Sequence, residues 1–226
     1  MKIISWNCSQ ALRKKLPLLK KYNADVIVCQ EAEKLESDFF EGYHYEWVGK
    51  NIHKGIGVLT KKYPYSISKE LNDNFIFYLP ASFNDFNLMN VWTHTKADKF
   101  GPDANGNIID ALNFYKDWIA SKNKAIIVGD FNNSLVFDDK YNWTAKFVDS
   151  KNYLYDLNFI SVYHSLFNEE FGNESKATLF HTKNLYKTFH IDYAFIRGFK
   201  IQNIEVGNYS DWIKYSDHVP LIIDIE

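Results

Sequence analysis

The sequence predicts an α/β fold in which two mixed β-sheets pack face to face, with helices on their outer sides. Strand-like runs dominate both ends of the chain, and helical patterns interrupt both halves. The stretch 43–93 holds successive strand-like runs, most of them separated by Asn, Asp, Gly or Pro, which indicates an antiparallel meander. A simple βαβ repeat would not contain such a meander, so two packed sheets fit better than a doubly wound sheet. A hydrophobic content of 46% with 17% aromatic residues supplies a core of more than two layers.

Individual elements follow from the hydrophobic period and from turn residues. Strands are predicted at 3–7, 25–30, 43–48, 55–60, 65–69, 75–79, 86–93, 124–129, 178–181, 190–196, 200–206 and 219–225. Helices are predicted at 16–22, 33–39 and 107–120, together with a helix-rich stretch at 146–167. Pro17 places the start of the first helix nearby, because proline is tolerated in the first turn of a helix. Asn23 suits the left-handed backbone conformation that commonly ends a helix. With no repeat, linker or compositional step, we predict one domain over residues 1–226.

Bulk composition limits the classes of function. No apolar run is long enough to span a membrane, and the chain begins with a strand pattern, so we expect neither a membrane anchor nor a signal peptide. Cys8 and Cys29 lie in or beside apolar strands and are expected to be reduced packing residues, which favours the cytoplasm. The net charge of −2 shows no overall basic face for duplex DNA. Two local lysine clusters are interpreted as solvated surface rather than phosphate contacts, namely Lys14, Lys15, Lys20 and Lys21, and Lys61 with Lys62.

Polar residues follow apolar runs at three distant points of the chain, and strand ends commonly form the ligand crevice of such sheets. Asn7 ends the first run and Glu31 the second. A carboxylate in this position suits Mg²⁺, which takes one or two carboxylates and keeps several waters. The alternatives are that Glu31 is a surface residue in a salt bridge, or that Glu33 has the metal-binding role.

The third apolar run ends in Gly129-Asp130-Phe131-Asn132. The glycine gives the backbone room, and in an extended chain Asp130 and Asn132 would point the same way. The aspartate could accept a proton from water, and the asparagine could donate a hydrogen bond to a phosphoryl oxygen. An Asx turn that only caps the strand is the alternative interpretation.

Histidines complete the candidate set. His218, after Asp217, could stabilise a phosphoryl transition state, and it needs a carboxylate to fix its tautomer. Asp192 lies in an apolar strand and is the candidate partner, unless it is a core residue bonded to backbone. His94 ends another strand and could protonate a leaving oxygen, although a lone histidine there is more often structural.

Taken in order, these residues resemble the endonuclease/exonuclease/phosphatase superfamily, which includes abasic-site endonucleases, pancreatic-type DNases, sphingomyelinases and inositol polyphosphate 5-phosphatases. The resemblance covers nearly the whole chain and rests on the segments WN, QE, WTH, GDFN, HIDY and SDHVP. It implies a four-layer α/β sandwich and hydrolysis of a phosphoester without a covalent intermediate. It also implies Mg²⁺ as the cofactor, with Mn²⁺ as a substitute.

The resemblance further assigns roles residue by residue. Glu31 would hold the metal with Asn7 and Asp217, and Asn7 would also contact a phosphate oxygen. Asp130 would position or deprotonate the attacking water while Asn132 stabilises the phosphoryl oxygens. Asp192 would orient His218, and His218 would stabilise the transition state. His94 would be the acid that protonates the leaving group.

Two departures from the family pattern bear on the substrate. Many abasic-site endonucleases have an aspartate two residues after the first asparagine, where this chain has Ser9, which weakens that interpretation. The chain is also short, which leaves little room for loops that grip duplex DNA or lipid.

The hypotheses are therefore ordered. The first is a Mg²⁺-dependent phosphodiesterase acting on nucleic acid, and the second is a phosphatase or phosphodiesterase for a small phosphorylated metabolite. A third is a binding module without activity, which the complete catalytic set disfavours. No protein partner is indicated.

Overall fold

A computed structural model describes residues 1–61, 64–67, 72–93, 108–140 and 146–226. Their strands are β1 (Lys2–Asn7), β2 (Val26–Ala32), β3 (His44–Asn51), β4 (Lys54–Thr60), β5 (Tyr65–Ile67), β6 (Tyr78–Phe83), β7 (Phe86–Trp92), β8 (Lys124–Asp130), β9 (Ile160–Ser161), β10 (Leu179–Phe180), β11 (Thr188–Phe189), β12 (Asp192–Arg197), β13 (Ile201–Val206) and β14 (Leu221–Ile225). The helices are α1 (Leu12–Lys20), α2 (Ile109–Phe114), α3 (Lys116–Ala120), α4 (Leu135–Lys140), α5 (Phe147–Asp156), α6 (Val162–Phe167) and α7 (Tyr209–Trp212).

Two six-stranded sheets form the centre of the molecule. The first has the order β13-β14-β1-β2-β4-β3 and the second the order β5-β6-β7-β8-β12-β9. Both are mixed, because β1 pairs parallel with β2 and β7 with β8, while the other neighbours pair antiparallel. A separate hairpin of β10 and β11 completes the strands.

Side-chain alternation explains how the layers stack. In the second sheet, Ile126 and Val128 belong to a core shared with the first sheet, whereas Ala125 and Ile127 belong to a second core. That second core contains buried residues of α2, α3 and α5, so these helices cover the outer face. The predicted sandwich of two packed mixed sheets flanked by helices is therefore confirmed.

The first helix begins earlier than predicted. It starts at Leu12 rather than near residue 16, and Pro17 lies inside it. Proline removes one helical hydrogen bond, but Leu12, Leu16 and Leu19 are all buried on one side of the helix. Burial of that apolar side outweighs the local preference.

A helix at 33–39 was the clearest error of the sequence prediction, because this segment is irregular. Its backbone groups bond instead to the β3–β4 hairpin, with Lys34 N donating to Ile52 O and Tyr45 N to Ser37 O. The helix predicted at 107–120 is two helices separated at Tyr115, and residue 107 lies outside the described residues.

Other elements also differ from the prediction. The strand predicted at 75–79 begins only at Tyr78, because Asp73–Phe75 forms a 3-10 turn. Helix α4 was not predicted at all. The helix-rich stretch at 146–167 is confirmed by α5 and α6. None of the helices in the described ranges combines the length and apolar character needed to cross a membrane.

Candidate active site

Strand ends from both sheets converge on one side of the sandwich. In the first sheet Asn7 pairs with Gln30 at the ends of β1 and β2, and in the second Asp130 pairs with Asp192. Asn7 Nδ2 donates to Asp130 Oδ2 at 2.8 Å, which joins the two strand ends. The crevice predicted from the apolar runs therefore places these polar residues together.

Glu31 reaches this crevice through a β-bulge. The pairing of β2 with β4 shifts register between Gln30 and Ala32, and Glu31 between them has a left-handed φ of 53°. Such a backbone is costly for a non-glycine residue and re-aims the side chain. As a result, Glu31 Oε1 lies 3.4 Å from Asn7 Nδ2.

A lysine that the sequence did not single out also contacts this carboxylate. Lys54 Nζ lies 3.0 Å from Glu31 Oε2 and 5.2 Å from the centre of the Trp92 ring. The competing candidate Glu33 instead pairs with Arg13, through the backbone N at 3.0 Å and the guanidinium at 3.6 Å. These contacts support Glu31 over Glu33 as the residue of the crevice.

The Gly129–Asn132 turn is both structural and part of the site. Asn132 N donates to Asp130 Oδ1 at 2.8 Å, so the Asx turn is present. The chain is not extended here, since Asn132 has a φ of 44°. Its amide nevertheless lies beside the carboxylate, donating to Asp130 Oδ2 at 3.1 Å and to Thr93 O at 2.8 Å.

The glycine of this turn is required because a side chain at its position would clash with the neighbouring strand. At Gly129 the φ is 148°, and a Cβ would lie 2.0 Å from Val91 O on the neighbouring strand. Only glycine therefore allows β7 and β8 to approach as they do at the strand end.

The carboxylate of Asp192 contacts the ring of His218. Asp192 Oδ2 lies 2.9 Å from His218 Nδ1, and His218 Nε2 lies 3.8 Å from Asp130 Oδ2. The backbone N atoms of Ile191 and Asp192 both donate to Thr178 Oγ1 at 3.0 Å, which fixes the backbone that carries the Asp192 carboxylate.

The loop that carries His218 is fixed by two hydrogen bonds to β1. Ser216 Oγ donates to Asn7 O at 2.7 Å, and Trp6 Nε1 donates to His218 O at 3.0 Å. Ser216 Oγ also accepts from His218 N at 3.1 Å. Trp6 in turn contacts Trp212 of α7 edge to face, with ring centroids 5.0 Å apart.

Burial and charge set the protonation of the two central groups. Burial by itself would lower the pKa of His218, but Asp192 and Asp130 outweigh it and raise the pKa to about 10. Burial raises the pKa of the Asp130 carboxyl, against the effects of His218 and of the Asn7 hydrogen bond. At neutral pH His218 is therefore an imidazolium between two carboxyl groups.

Two predicted residues remain less defined. Asp217 is half-buried, and its carboxylate raises the pKa of both Lys15 and His218, which places it near the crevice. Within the described part of the chain its carboxylate makes no hydrogen bond. His94 lies outside the described residues.

Sequence reasoning missed Lys54, Thr178, Ser216 and Trp6 as supports of the site. Ser216 and Trp6 lie inside the segments that carry the family resemblance, so their position was a usable signal. Lys54 and Thr178 gave none, because a lysine or threonine beside a strand is common and their partners are distant in sequence.

The donor chemistry fits a hard cation. Glu31 and Asn7 offer carboxylate and amide oxygens, with Asp217 nearby, and Mg²⁺ prefers oxygen ligands. The lysine ammonium beside Glu31 shows that this carboxylate accepts a cation. Asp130, Asp192 and His218 form a second group whose ligand atoms lie within 4.8 Å of one another.

Comparisons with known proteins support the same fold. The structure is similar to a 3′-5′ exonuclease (NExo) from Neisseria meningitidis, with a TM-score of 0.75, 16% identity and full coverage of both chains. It is also similar to an AP endonuclease from Archaeoglobus fulgidus, with a TM-score of 0.72 and 17% identity, over 100% of this chain and 99% of that one. A further match is a single-residue variant of the 3′ phosphatase NExo from Neisseria, bound to a product DNA hairpin, with a TM-score of 0.75 and 17% identity over 100% and 99% of the chains.

No curated protein matches this chain by sequence. The family model described as the endonuclease/exonuclease/phosphatase family matches residues 4–218, which include the crevice residues of both sheets. The chain therefore belongs to the endonuclease/exonuclease/phosphatase family.

Proposed function

We propose that this protein is a Mg²⁺-dependent hydrolase of phosphodiester bonds and that its substrate is nucleic acid. The observation that carries the proposal is the arrangement of Asp130 between Asn7 and His218, with Asp192 behind the histidine. This is a buried carboxylate next to a cation and an amide, which suits proton transfer from water and stabilisation of charge on phosphorus. Family membership and the similarity to a 3′-5′ exonuclease and an AP endonuclease support it further.

Each side chain has a distinct part in the proposed reaction. Asp130 accepts the proton of the attacking water, and burial makes it a stronger base than an exposed aspartate. Asn7 and Asn132 donate hydrogen bonds to the phosphoryl oxygens, for which Asn132 exchanges its bond to Thr93 O. The reaction proceeds without a covalent intermediate.

The histidines act on the charge of the transition state. The His218 imidazolium offsets the charge that develops on the phosphoryl oxygens, and Asp192 keeps its ring in position. His94 protonates the leaving oxygen. Glu31, Asn7 and Asp217 would hold Mg²⁺, which supplies a Lewis acid for the phosphoryl group.

Other parts of the proposal concern organisation and location. One domain over residues 1–226 is supported by the pairing of β1, near the start, with β14, near the end. Cys8 and Cys29 are free and buried, as expected for a reducing compartment, which supports the cytoplasm.

The test is product release from a panel of phosphoesters with Mg²⁺, using His218→Ala as the blank. The panel holds single- and double-stranded DNA, abasic DNA, RNA, inositol phosphates, sphingomyelin and nucleotide monoesters. Hydrolysis of a polynucleotide above the blank is the expected result. Turnover of small phosphoesters alone would replace the nuclease by a metabolite hydrolase, and no turnover at all would favour a binding module.

A further inference from the structure

The β10–β11 hairpin is attached directly to the catalytic residues. Leu179 forms an isolated bridge with His218, and Phe180 N donates to Asp217 O at 2.8 Å. After β11 the chain continues within three residues to Asp192 at the start of β12. The hairpin is therefore held at a fixed position relative to the histidine and its orienting carboxylate.

The tip of this hairpin is ordered by its own hydrogen bonds. His181 N donates to Lys187 O at 2.8 Å, and Tyr186 N donates to Asn184 Oδ1 at 2.9 Å. Tyr209 OH anchors the tip from α7 by donating to Lys183 O at 2.9 Å. A tip with this many hydrogen bonds holds its side chains in defined directions.

Two large apolar side chains on the tip face solvent. Tyr186 is 91% exposed and Leu185 is 47% exposed, and Tyr186 has the greatest exposure of the large apolar residues in the described ranges. A tyrosine this exposed contributes almost nothing to the core, while its open ring face is available for stacking. The exposed ring therefore suggests a binding role.

A cleft of about 670 Å³ runs from the site to this tyrosine. It begins at Asn132, beside Asp130, and ends between the hairpin and α4, where Tyr186 and Lys187 line it. Phe137 and Phe189 also line it, with rings in contact at a centroid distance of 5.0 Å. Its size is in the range of small-ligand pockets, and it is continuous with the proposed phosphate site.

The surroundings of the cleft are basic although the whole chain carries a net charge of −2. Lys187 and Lys140 line the cleft. Lys183 is exposed on the same tip, and in the described ranges neither Lys183 nor Lys187 pairs with a carboxylate. An exposed aromatic ring with Lys183 and Lys187 beside it provides the elements of single-strand binding, in which bases stack and cations follow the backbone.

From this arrangement we infer that the β10–β11 hairpin binds single-stranded nucleic acid, with an unpaired base stacked on Tyr186 and the adjoining phosphate next to Lys187. The nucleotide beside the cleaved bond lies in the cleft, between Asn132 and the hairpin tip. A paired base in a duplex has no free face for the ring, so the contact selects unpaired strands or ends. This inference rests on the proposed function and specifies the form of its substrate.

The test compares hairpin variants on three substrates with Mg²⁺: oligothymidylate, its blunt duplex with oligoadenylate, and bis(p-nitrophenyl) phosphate. Oligouridylate is added to distinguish RNA from DNA. The variants are Tyr186→Ala, Tyr186→Phe and Lys187→Gln, and Lys124→Gln is the charge-matched control because β8 runs from Lys124 to Asp130 and so places Lys124 at the opposite end of the strand. Binding is measured independently by fluorescence anisotropy of labelled oligothymidylate on His218→Ala protein.

We expect Tyr186→Ala to raise KM and the dissociation constant for oligothymidylate about ten-fold, and Tyr186→Phe to change them little. Lys187→Gln should weaken binding and reduce its salt dependence, whereas Lys124→Gln should do neither. Hydrolysis of bis(p-nitrophenyl) phosphate should be the same in all four variants. The wild type should prefer oligothymidylate or oligouridylate to the duplex.

An unchanged dissociation constant in Tyr186→Ala would overturn the inference, as would equal losses on the single strand and the duplex. Both results would leave the hydrolase assignment intact as long as bis(p-nitrophenyl) phosphate is cleaved. If the wild type hydrolyses none of the substrates but binding of labelled oligothymidylate is observed and depends on Tyr186, the proposed function is refuted and the binding surface is supported.

Discussion

The side-chain amide of Asn7 donates a hydrogen bond of 2.8 Å to Asp130, and the two residues end strands of different sheets. Both side chains are buried. The same amide nitrogen lies 3.4 Å from Glu31 Oε1, so one asparagine connects the candidate base with the candidate metal ligand. The chemistry of the site therefore depends on how closely the two sheets pack, and this explains why its residues are so far apart in sequence.

His218→Ala should lower turnover by several orders of magnitude, because the variant loses the positive charge beside Asp130. The native fold should be retained, since Trp6 and Ser216 hold the loop through backbone atoms of this residue, although the free energy of unfolding should fall because the imidazolium stabilises the folded state. Steady-state kinetics and thermal unfolding of the same preparation check both statements. Activity close to that of the wild type would show that the site has been assigned wrongly.

Asp192→Asn should reduce kcat less than His218→Ala does, because it misorients the histidine without removing it. The pH dependence of activity should also shift, since the aspartate contributes to the raised pKa of His218. Kinetics across pH on both variants make the comparison. A loss in Asp192→Asn as large as in His218→Ala, with folding intact, would give Asp192 a direct part in the reaction.

Removal of divalent metal with EDTA should abolish hydrolysis, and Mg²⁺ or Mn²⁺ should restore it. Glu31→Gln should weaken Mn²⁺ binding in calorimetric titration, because it removes a charged oxygen ligand. Lys54→Met should strengthen Mn²⁺ binding, since the lysine ammonium lies 3.0 Å from Glu31 Oε2 and competes for it. Hydrolysis that survives rigorous metal removal would contradict the metal role of Glu31.

The metal-free protein should lose stability as the pH rises from about 7 to about 10. Because Asp192 and Asp130 overcome the effect of burial, the folded pKa of His218 is about 10, above its ordinary value of 6.5. Protonation therefore stabilises the folded state fully below pH 6.5, and this stabilisation is lost as the pH rises through the folded pKa. Urea unfolding in EDTA at several pH values measures the free energy of unfolding. The difference in this free energy between the wild type and His218→Asn isolates the contribution of the histidine. A constant difference across this range would contradict the imidazolium assignment.

Gly129→Ala should destabilise the protein by about 3 kcal/mol or more, because the added Cβ would lie 2.0 Å from Val91 O and the φ of 148° suits only glycine. Gly42→Ala is the matched control, since Gly42 has a φ of 79° and no atom within 4 Å of the added Cβ. It should cost only about 1 kcal/mol, the strain of a left-handed residue. Equal losses in urea unfolding would show that the close approach of β7 and β8 is not rigid.

The sequence predicted the sandwich and most of the site because these depend on patterns that a single chain displays. Apolar runs ending in Asn7 and Asp130 gave both the strands and the crevice. The bulge at Glu31 could not be predicted, since it arises from pairing with β4, and Lys54 enters the site through the same pairing. The false helix at 33–39 has a similar cause, because tertiary hydrogen bonds to the β3–β4 hairpin override local propensity.

The pairing of β1 with β14 has a consequence for how the protein is made. During synthesis β1 and β2 emerge early, but the edge of β1 that receives Leu221–Ile225 stays open until β14 has been synthesised. His218 arrives just before this segment, so the nascent chain cannot position this candidate catalytic histidine until β14 is about to be made. We expect such a high contact order to make folding slow, and activity to appear only after β14 has left the ribosome.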